Sequence, residues 1–183
     1  MRNVTGALLL ACAACNQRIE QQPDANEPHP ADVTAEPATP PEPGTPGGLP
    51  DDRAPLEEPH GTIDPKSAEA AGQVVQSYGA LIEQKRFAEA EKLWGDAERG
   101  RGVSDELRRY SEVHLQIGKP EEPEGAAGSI YVNVPTVLYG KRGSGAEFSR
   151  SGQMMLRRVN EVPGSTETQR RWHIESAAWL ESR

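Results

Sequence analysis

The sequence predicts an α+β domain in which N-terminal helices pack on one face of a curved antiparallel sheet of about four strands. Three observations lead there. Between residues 71 and 94 the apolar residues recur at three and four positions, the period of a helix. From Val113 onward they recur at every second residue, the period of a half-buried strand. The alternating runs are joined by short Gly- and Pro-containing loops, so strands follow strands without intervening helices.

Asp64-Pro65 reads as a helix start, an N-cap acceptor followed by Pro at the first helical position. Ala71, Val74, Val75, Tyr78, Leu81 and Ile82 form one apolar face running to about Gln84. Phe87 lies out of phase with Ile82, so a tight bend is expected near Lys85-Arg86. A short second helix carries Phe87, Ala90, Leu93 and Trp94, with Gly95 as its cap. Residues 96–102 read as a polar turn, and Ser104 as the cap of a third short helix bearing Leu107 and Tyr110. Val113, Leu115 and Ile117 then alternate with Glu112, His114 and Gln116. Residues 119–128 are a loop. On the second strand Ile130, Val132, Val134, Thr136 and Leu138 face one way, and Tyr131, Asn133, Pro135, Val137 and Tyr139 the other. Pro135 points to an edge or a bulge. Residues 140–145 are a hairpin turn, 148–159 a third strand and 171–180 a last one, with Trp172, Ile174, Ala178 and Leu180 sharing a face. Residues 71–94 also look like one tetratricopeptide repeat. That architecture needs further copies at about 34 residues, and strand periodicity follows instead.

The helix over 71–82, the segment Phe-Ala-Glu-Ala-Glu-Lys-Leu-Trp at 87–94 and the three long strands ending the chain together resemble the nuclear transport factor 2-like superfamily, over roughly residues 66–182. The resemblance is one of element order. It implies a cone whose cavity lies between the long helix and the sheet. The superfamily includes isomerases and hydratases, ligand carriers and non-catalytic interaction modules, so fold alone does not choose an activity. Tyr78, Trp94, Tyr110, Met154 and Trp172 lie on the expected core faces and are candidates for the cone's lining or its filling. Arg150 alternates in phase with Phe148, Met154 and Leu156, which aims a guanidinium inward to hold an anionic group; a bulge near Gly152 would turn it to solvent.

Enzymes of that superfamily place Asp, His or Tyr in the cone. Here His114 and His173 fall on the polar strand faces, with Glu175 beside His173. Asp105 and Glu106 are read in a helix's first turn, where the dipole favours them. Arg157-Arg158 and Arg170-Arg171 read as a basic cluster at one sheet end. No metal-ligand spacing, phosphate loop or nucleophile elbow is present, so no catalytic residue, metal or cofactor is assigned.

The first 15 residues carry one basic side chain, a short apolar run and small residues ending in Cys. This resembles a bacterial lipoprotein signal. Roughly 20 apolar residues are needed to span a bilayer, and the run is shorter. Residues 1–14 are therefore read as a signal peptide and Cys15 as the lipidated residue, with Cys12 as the alternative register. Two or more acyl chains anchor stably, and Asn16 after the Cys points to the outer rather than the inner membrane, with the domain in the periplasm. Residues 15–63 read as a disordered Pro/Glu-rich tether. The stretch 16–65 holds twelve of the sixteen prolines and only Ile19, Val33, Leu49, Leu56 and Ile63 as large aliphatics. The domain is assigned to residues 64–183. The net charge of −8 lies in residues 1–65, with three basic and eleven acidic side chains; residues 66–183 carry seventeen of each. A neutral domain gives no footprint for nucleic acid. The expected function is a membrane-anchored envelope module that binds a protein or cell-wall partner, with the sheet face bearing Tyr131, Val137, Tyr139 and Trp179 as the place for it. The alternative is a periplasmic small-molecule binder or an isomerase- or hydratase-like enzyme working in the cone.

Overall fold

The computed structural model describes residues 37–50 and 62–181, the side chains of 180 and 181 excepted. The expected signal peptide, Cys12 and Cys15 lie outside the described residues. Helix α1 (Ala68–Glu83) starts at Ser67, whose hydroxyl accepts the Ala70 N–H at 3.2 Å. The expected start at Asp64-Pro65 is a turn instead. Asp64 accepts the Lys66 N–H through its carboxylate at 2.9 Å and the Ser67 N–H through its carbonyl at 3.0 Å, which sets Ser67 up as the cap. Ala71, Val75, Tyr78 and Ile82 are fully buried, the stripe the periodicity requires. The bend comes where expected. Lys85 takes a left-handed conformation (φ 59°) and the Arg86 N–H bonds back to the Leu81 carbonyl at 2.8 Å, a Schellman closure built without glycine. Helix α2 (Phe87–Ala90) runs into a 3₁₀ turn over Glu91–Leu93.

Helix α3 (Ala97–Leu107) corrects the sequence reading twice. Its cap is Asp96, which accepts the Glu98 and Arg99 N–H groups at 2.9 and 3.1 Å, so residues 97–102 are helical rather than a turn. Ser104 lies inside the helix, buried on the same face as Gly100 and Leu107. A Cβ at Gly100 would stand 2.8 Å from the Trp94 ring, so this helix packs through a smooth face that leaves no apolar stripe to read.

Strands β1 (Tyr110–Ile117), β2 (Glu124–Ala126), β3 (Ser129–Arg142), β4 (Glu147–Val159) and β5 (His173–Glu181) form one antiparallel sheet in the order β1-β3-β4-β5, with β2 also paired to β3. Strand β2 falls in the expected 119–128 loop, where Ala127 (φ 47°) and Gly128 (φ 80°) make a two-residue hairpin turn. Pro135 sits in a central strand rather than at an edge. The Gly118 N–H bonds its carbonyl at 2.8 Å just beyond the end of β1, so the donor that proline lacks falls where β1 has stopped.

Two bulges set which side chains face the helices. In β1 the register shifts between Tyr110 and Glu112, and the Ser111 hydroxyl donates to the Lys141 and Arg142 carbonyls. In β5 the partners of Met155 and Leu156 are Ser176 and Ile174, leaving Glu175 as the extra residue. The second bulge corrects the expected face. Trp172 and Ile174 are buried, but Ala178 is exposed, and Ala177 and Trp179 pack on the core instead. The Trp179 indole N–H donates to Thr136 at 3.0 Å, so Trp179 does not belong to the outer face.

Residues 37–50, within the stretch read as tether, carry two buried side chains, Ala38 and Leu49. The Ala38 N–H donates to the Glu112 carboxylate at 2.7 Å. A Cβ added to Gly118 would stand 3.3 Å from Leu49 Cδ2. Gly44 N–H to Leu49 carbonyl (2.8 Å) and Gly48 N–H to Thr45 carbonyl (3.0 Å) close the stretch on itself. Among the described residues no helix is long and apolar enough to cross a membrane.

The Ala38 amide and, secondarily, His114 hold the Glu112 carboxyl below its ordinary value of 4.5. His114 and Lys141 are the ionisable groups that pair with it, and Glu83 lies on the far side of His114. A depressed carboxylate contributes in full above the unbonded value and loses its contribution as pH falls through the folded one. The Ala38 amide proton resonance should therefore shift upfield on acidification, with a midpoint below 4.5. A midpoint at or above that value contradicts the contact.

Candidate functional site

The β3–β4 ladder holds its register through Gly152, opposite Thr136, with no bulge. Arg150 therefore stays in phase with Phe148 and Met154, as the alternation requires, and its side chain is 17% exposed. It ends at the rim of the concave face. There its guanidinium lies 5.8 Å from the Tyr110 ring centre and its Nη1 2.6 Å from Glu106 Oε1. Tyr110 reaches this rim because of the Ser111 bulge. Strict alternation from Val113 would turn it outward, and the extra residue turns it back in. Its ring stacks on Phe148 at 4.2 Å and 26°. Arg142 covers Phe148 from 5.7 Å. Arg109, Tyr110, Arg142 and Arg150 line an open groove of about 530 Å³, whose lip also carries Asp105 and Glu106.

Asp105 and Glu106 belong to the last turn of α3, not to a first turn as read from the sequence. Their partners are side chains: Asp105 meets Arg108, and Glu106 meets Arg150. The groove thus has three arginines beside the Tyr110 ring, and Glu106 accepts from Arg150. Guanidinium forks over a ring suit a planar or multidentate anion, which would compete with Glu106 for Arg150.

The other four candidates lie away from this groove. Tyr78 and Met154 are fully buried, and Trp94 and Trp172 nearly so. Tyr78 and Trp94 meet edge to face at 6.1 Å. These residues fill the concave face together with Val75, Leu156 and Ile174. Tyr78 Oη, Trp94 Nε1, Ser104 Oγ and Trp172 Nε1 are buried without a hydrogen-bond partner. Burial pushes the Tyr78 phenol well above its ordinary range. Among the described residues the buried polar or charged side chains are Ser104, Ser129, Thr136 and Arg158.

A second polar cluster was not read from the sequence. His114 stands between Glu83 (Nδ1 to Oε1, 3.3 Å) and Glu112 (Nε2 to Oε1, 2.8 Å) and stacks on Tyr139 at 5.1 Å. Burial, then the two carboxylates, raise the Tyr139 phenol. Glu83 and His114 are 31 positions apart, so no local spacing joins them. His173 and Glu175 do come near each other, at 3.9 Å, with Arg99 and Arg157 also on Glu175. The two Arg pairs meet at Arg158 and Arg170, which both act on Glu161. Arg158 is buried and donates to the Arg170 carbonyl at 2.9 Å, while Arg157 lies over the Tyr131 ring. Among the described residues no group of three His, Cys, Asp or Glu could hold a metal ion.

No protein-family model matches the sequence, and no curated protein matches it. Among the solved structures that match it, three are similar over part of its length. One, provisionally described as a scytalone dehydratase from Novosphingobium aromaticivorans, is 8% identical with a TM-score of 0.48, over 63% of this chain and 83% of that one. A nuclear transport factor 2-like superfamily protein from Salmonella enterica serovar Typhimurium is 11% identical with a TM-score of 0.45, over 63% and 91%. The third, provisionally described as the β subunit of an aromatic-ring-hydroxylating dioxygenase from N. aromaticivorans, is 12% identical with a TM-score of 0.42, over 63% and 92%. Likeness at this level carries no inference about activity.

A buried hydroxyl without a partner is removed at little cost, because its desolvation is already uncompensated. Tyr78→Phe should leave stability unchanged or raise it by up to about 1 kcal/mol in urea unfolding. A loss greater than that would mean the hydroxyl has a partner inside the concave face.

Proposed function

We propose that this chain is a lipid-anchored module of the bacterial cell envelope, and that its domain binds an anionic group of a protein or cell-wall partner without transforming it. The observation that carries the binding role is that Arg109, Arg142 and Arg150 line one groove with Tyr110, whose ring stacks on Phe148. The groove is open at the rim, which suits a side chain or terminus presented by a larger partner better than an engulfed small molecule. The anchor reading rests on the N-terminal sequence: the short apolar run, the small residues and Cys15. Asn16 supports the outer membrane over the inner, with the domain facing the periplasm.

A second reading keeps a ligand inside the cone. It draws support from Tyr78 Oη, Trp94 Nε1, Ser104 Oγ and Trp172 Nε1, which a bound molecule could satisfy. The packing of the concave face favours the rim.

Two experiments test the proposal. Hexaglutamate peptide should bind the full chain with an affinity that falls as salt rises. Arg142→Gln with Arg150→Gln should weaken it about fivefold to tenfold, roughly 1 to 1.4 kcal/mol. Unchanged affinity in the double variant removes the groove from the account. In cells fed a labelled fatty acid, Cys15→Ser should abolish incorporation. Loss with Cys12→Ser instead moves the anchor to the other register, and incorporation that survives both substitutions ends the lipoprotein reading.

A further inference from the structure

At Val137 strand β3 is buried on the side that the helices do not cover. Val132, Val134 and Leu138 belong to the core under the helices. Val137 alternates with them, yet it is 1% exposed and is not part of that core. Its neighbours in register bracket it with the 37–50 segment. On one side Tyr139 lies opposite His114, the partner of Glu112, which accepts the Ala38 N–H. On the other, Gly118 bonds the Pro135 carbonyl and lies against Leu49. Leu49 itself is 3% exposed. The segment therefore lies across the sheet face from Tyr139 to Pro135, over Val137.

Its chemistry explains the manner of docking. Six of its fourteen residues are proline (37, 40, 41, 43, 46 and 50). Such a chain cannot add a strand to the sheet edge, since it lacks the donors. It can lie on a face with little entropy to lose, because proline has already restricted it. One free N–H, at Ala38, meets a carboxylate, and one aliphatic side chain, Leu49, enters an apolar site. The loop from Glu42 to Leu49 is closed by its own hydrogen bonds, which fixes the spacing between the two contacts.

We propose that the outer face of β1 and β3 is a recognition groove for an extended Pro-rich segment, that residues 37–50 are its resident occupant, and that another segment of the same chemistry takes the groove when the resident one is released. The face read from the sequence as an exposed partner surface is then a surface gated by the chain itself. The arginine groove is lined by other residues, and Phe148, on which its Tyr110 stacks, also borders the hollow beside Ala38 and Tyr139.

The test uses the full chain with Cys12→Ser and Cys15→Ser, and a single new thiol. Val137→Cys should react with a maleimide at least about tenfold more slowly than Val162→Cys at an exposed site (44%). Leu49→Asp should raise the Val137→Cys rate about tenfold and leave a Val134→Cys control slow. Adding a synthetic peptide of residues 37–50 at millimolar concentration should slow it again; a scrambled peptide should not. Fast labelling of Val137→Cys in the parent overturns the cover. No acceleration by Leu49→Asp, or equal acceleration at position 134, overturns a removable occupant. Failure of the peptide, or equal success of the scrambled one, overturns recognition.

Discussion

The unbroken pairing of β3 with β4 is the constraint on which the rest depends. It runs without a shift from Ser129 opposite Val159 to Lys141 opposite Glu147. Side chains in a paired strand alternate strictly, so this one ladder decides which residues meet the helices and which do not. It sends Val134, Leu138, Met154 and Leu156 into the core beneath the helices. It also sends Arg150 inward at the rim, where burial is incomplete and a guanidinium can keep water and a carboxylate partner. The same alternation places Val137 and Tyr139 on the other side, where a second layer is needed to cover them. In the 37–50 segment Ala38 and Leu49 are buried, beside Glu112 and Gly118.

The two flanking strands depart from that regularity, and each departure has a consequence at a surface. The extra residue at Ser111 turns Tyr110 in to stack on Phe148, where it lines the arginine groove. The extra residue at Glu175 turns Ala177 and Trp179 in, and brings Glu175 out toward Arg99 and Arg157. Trp179 then lies on the core side of the sheet beside Gly152 and Thr136. A side chain at Gly152 would collide with the Ala178 carbonyl, so the close approach of β5 there depends on glycine.

The parts of this architecture carried by periodicity were legible in the sequence: the α1 stripe, the alternation of β3 and β4, the bend at Lys85, and the inward phase of Arg150. What was hidden has physical reasons. A bulge at Ser111 or Glu175 leaves no mark in the apolar alternation, because the extra residue is itself polar. Helix α3 packs through Gly100 and Ser104, which present no apolar signal. Tyr110 was read onto the core through a helix that ends before it; it arrives there through the strand bulge. The Glu83–His114–Glu112 cluster joins residues from a helix end and a strand, and only the fold brings them together. Leu49 stood out as one of few aliphatics in a proline-rich stretch, yet composition cannot say whether a lone leucine finds a site.

The central claim is that the concave face is filled and that binding belongs to its rim. The three tryptophan indoles and the groove arginines report on the two places separately. In ¹H–¹⁵N spectra of the full chain titrated with hexaglutamate, the Arg142 and Arg150 Nε–H signals should move together while the Trp94 and Trp172 indole signals stay fixed. Movement of the Trp94 or Trp172 indole, with the arginine signals unchanged, would place the ligand inside the cone and contradict the account.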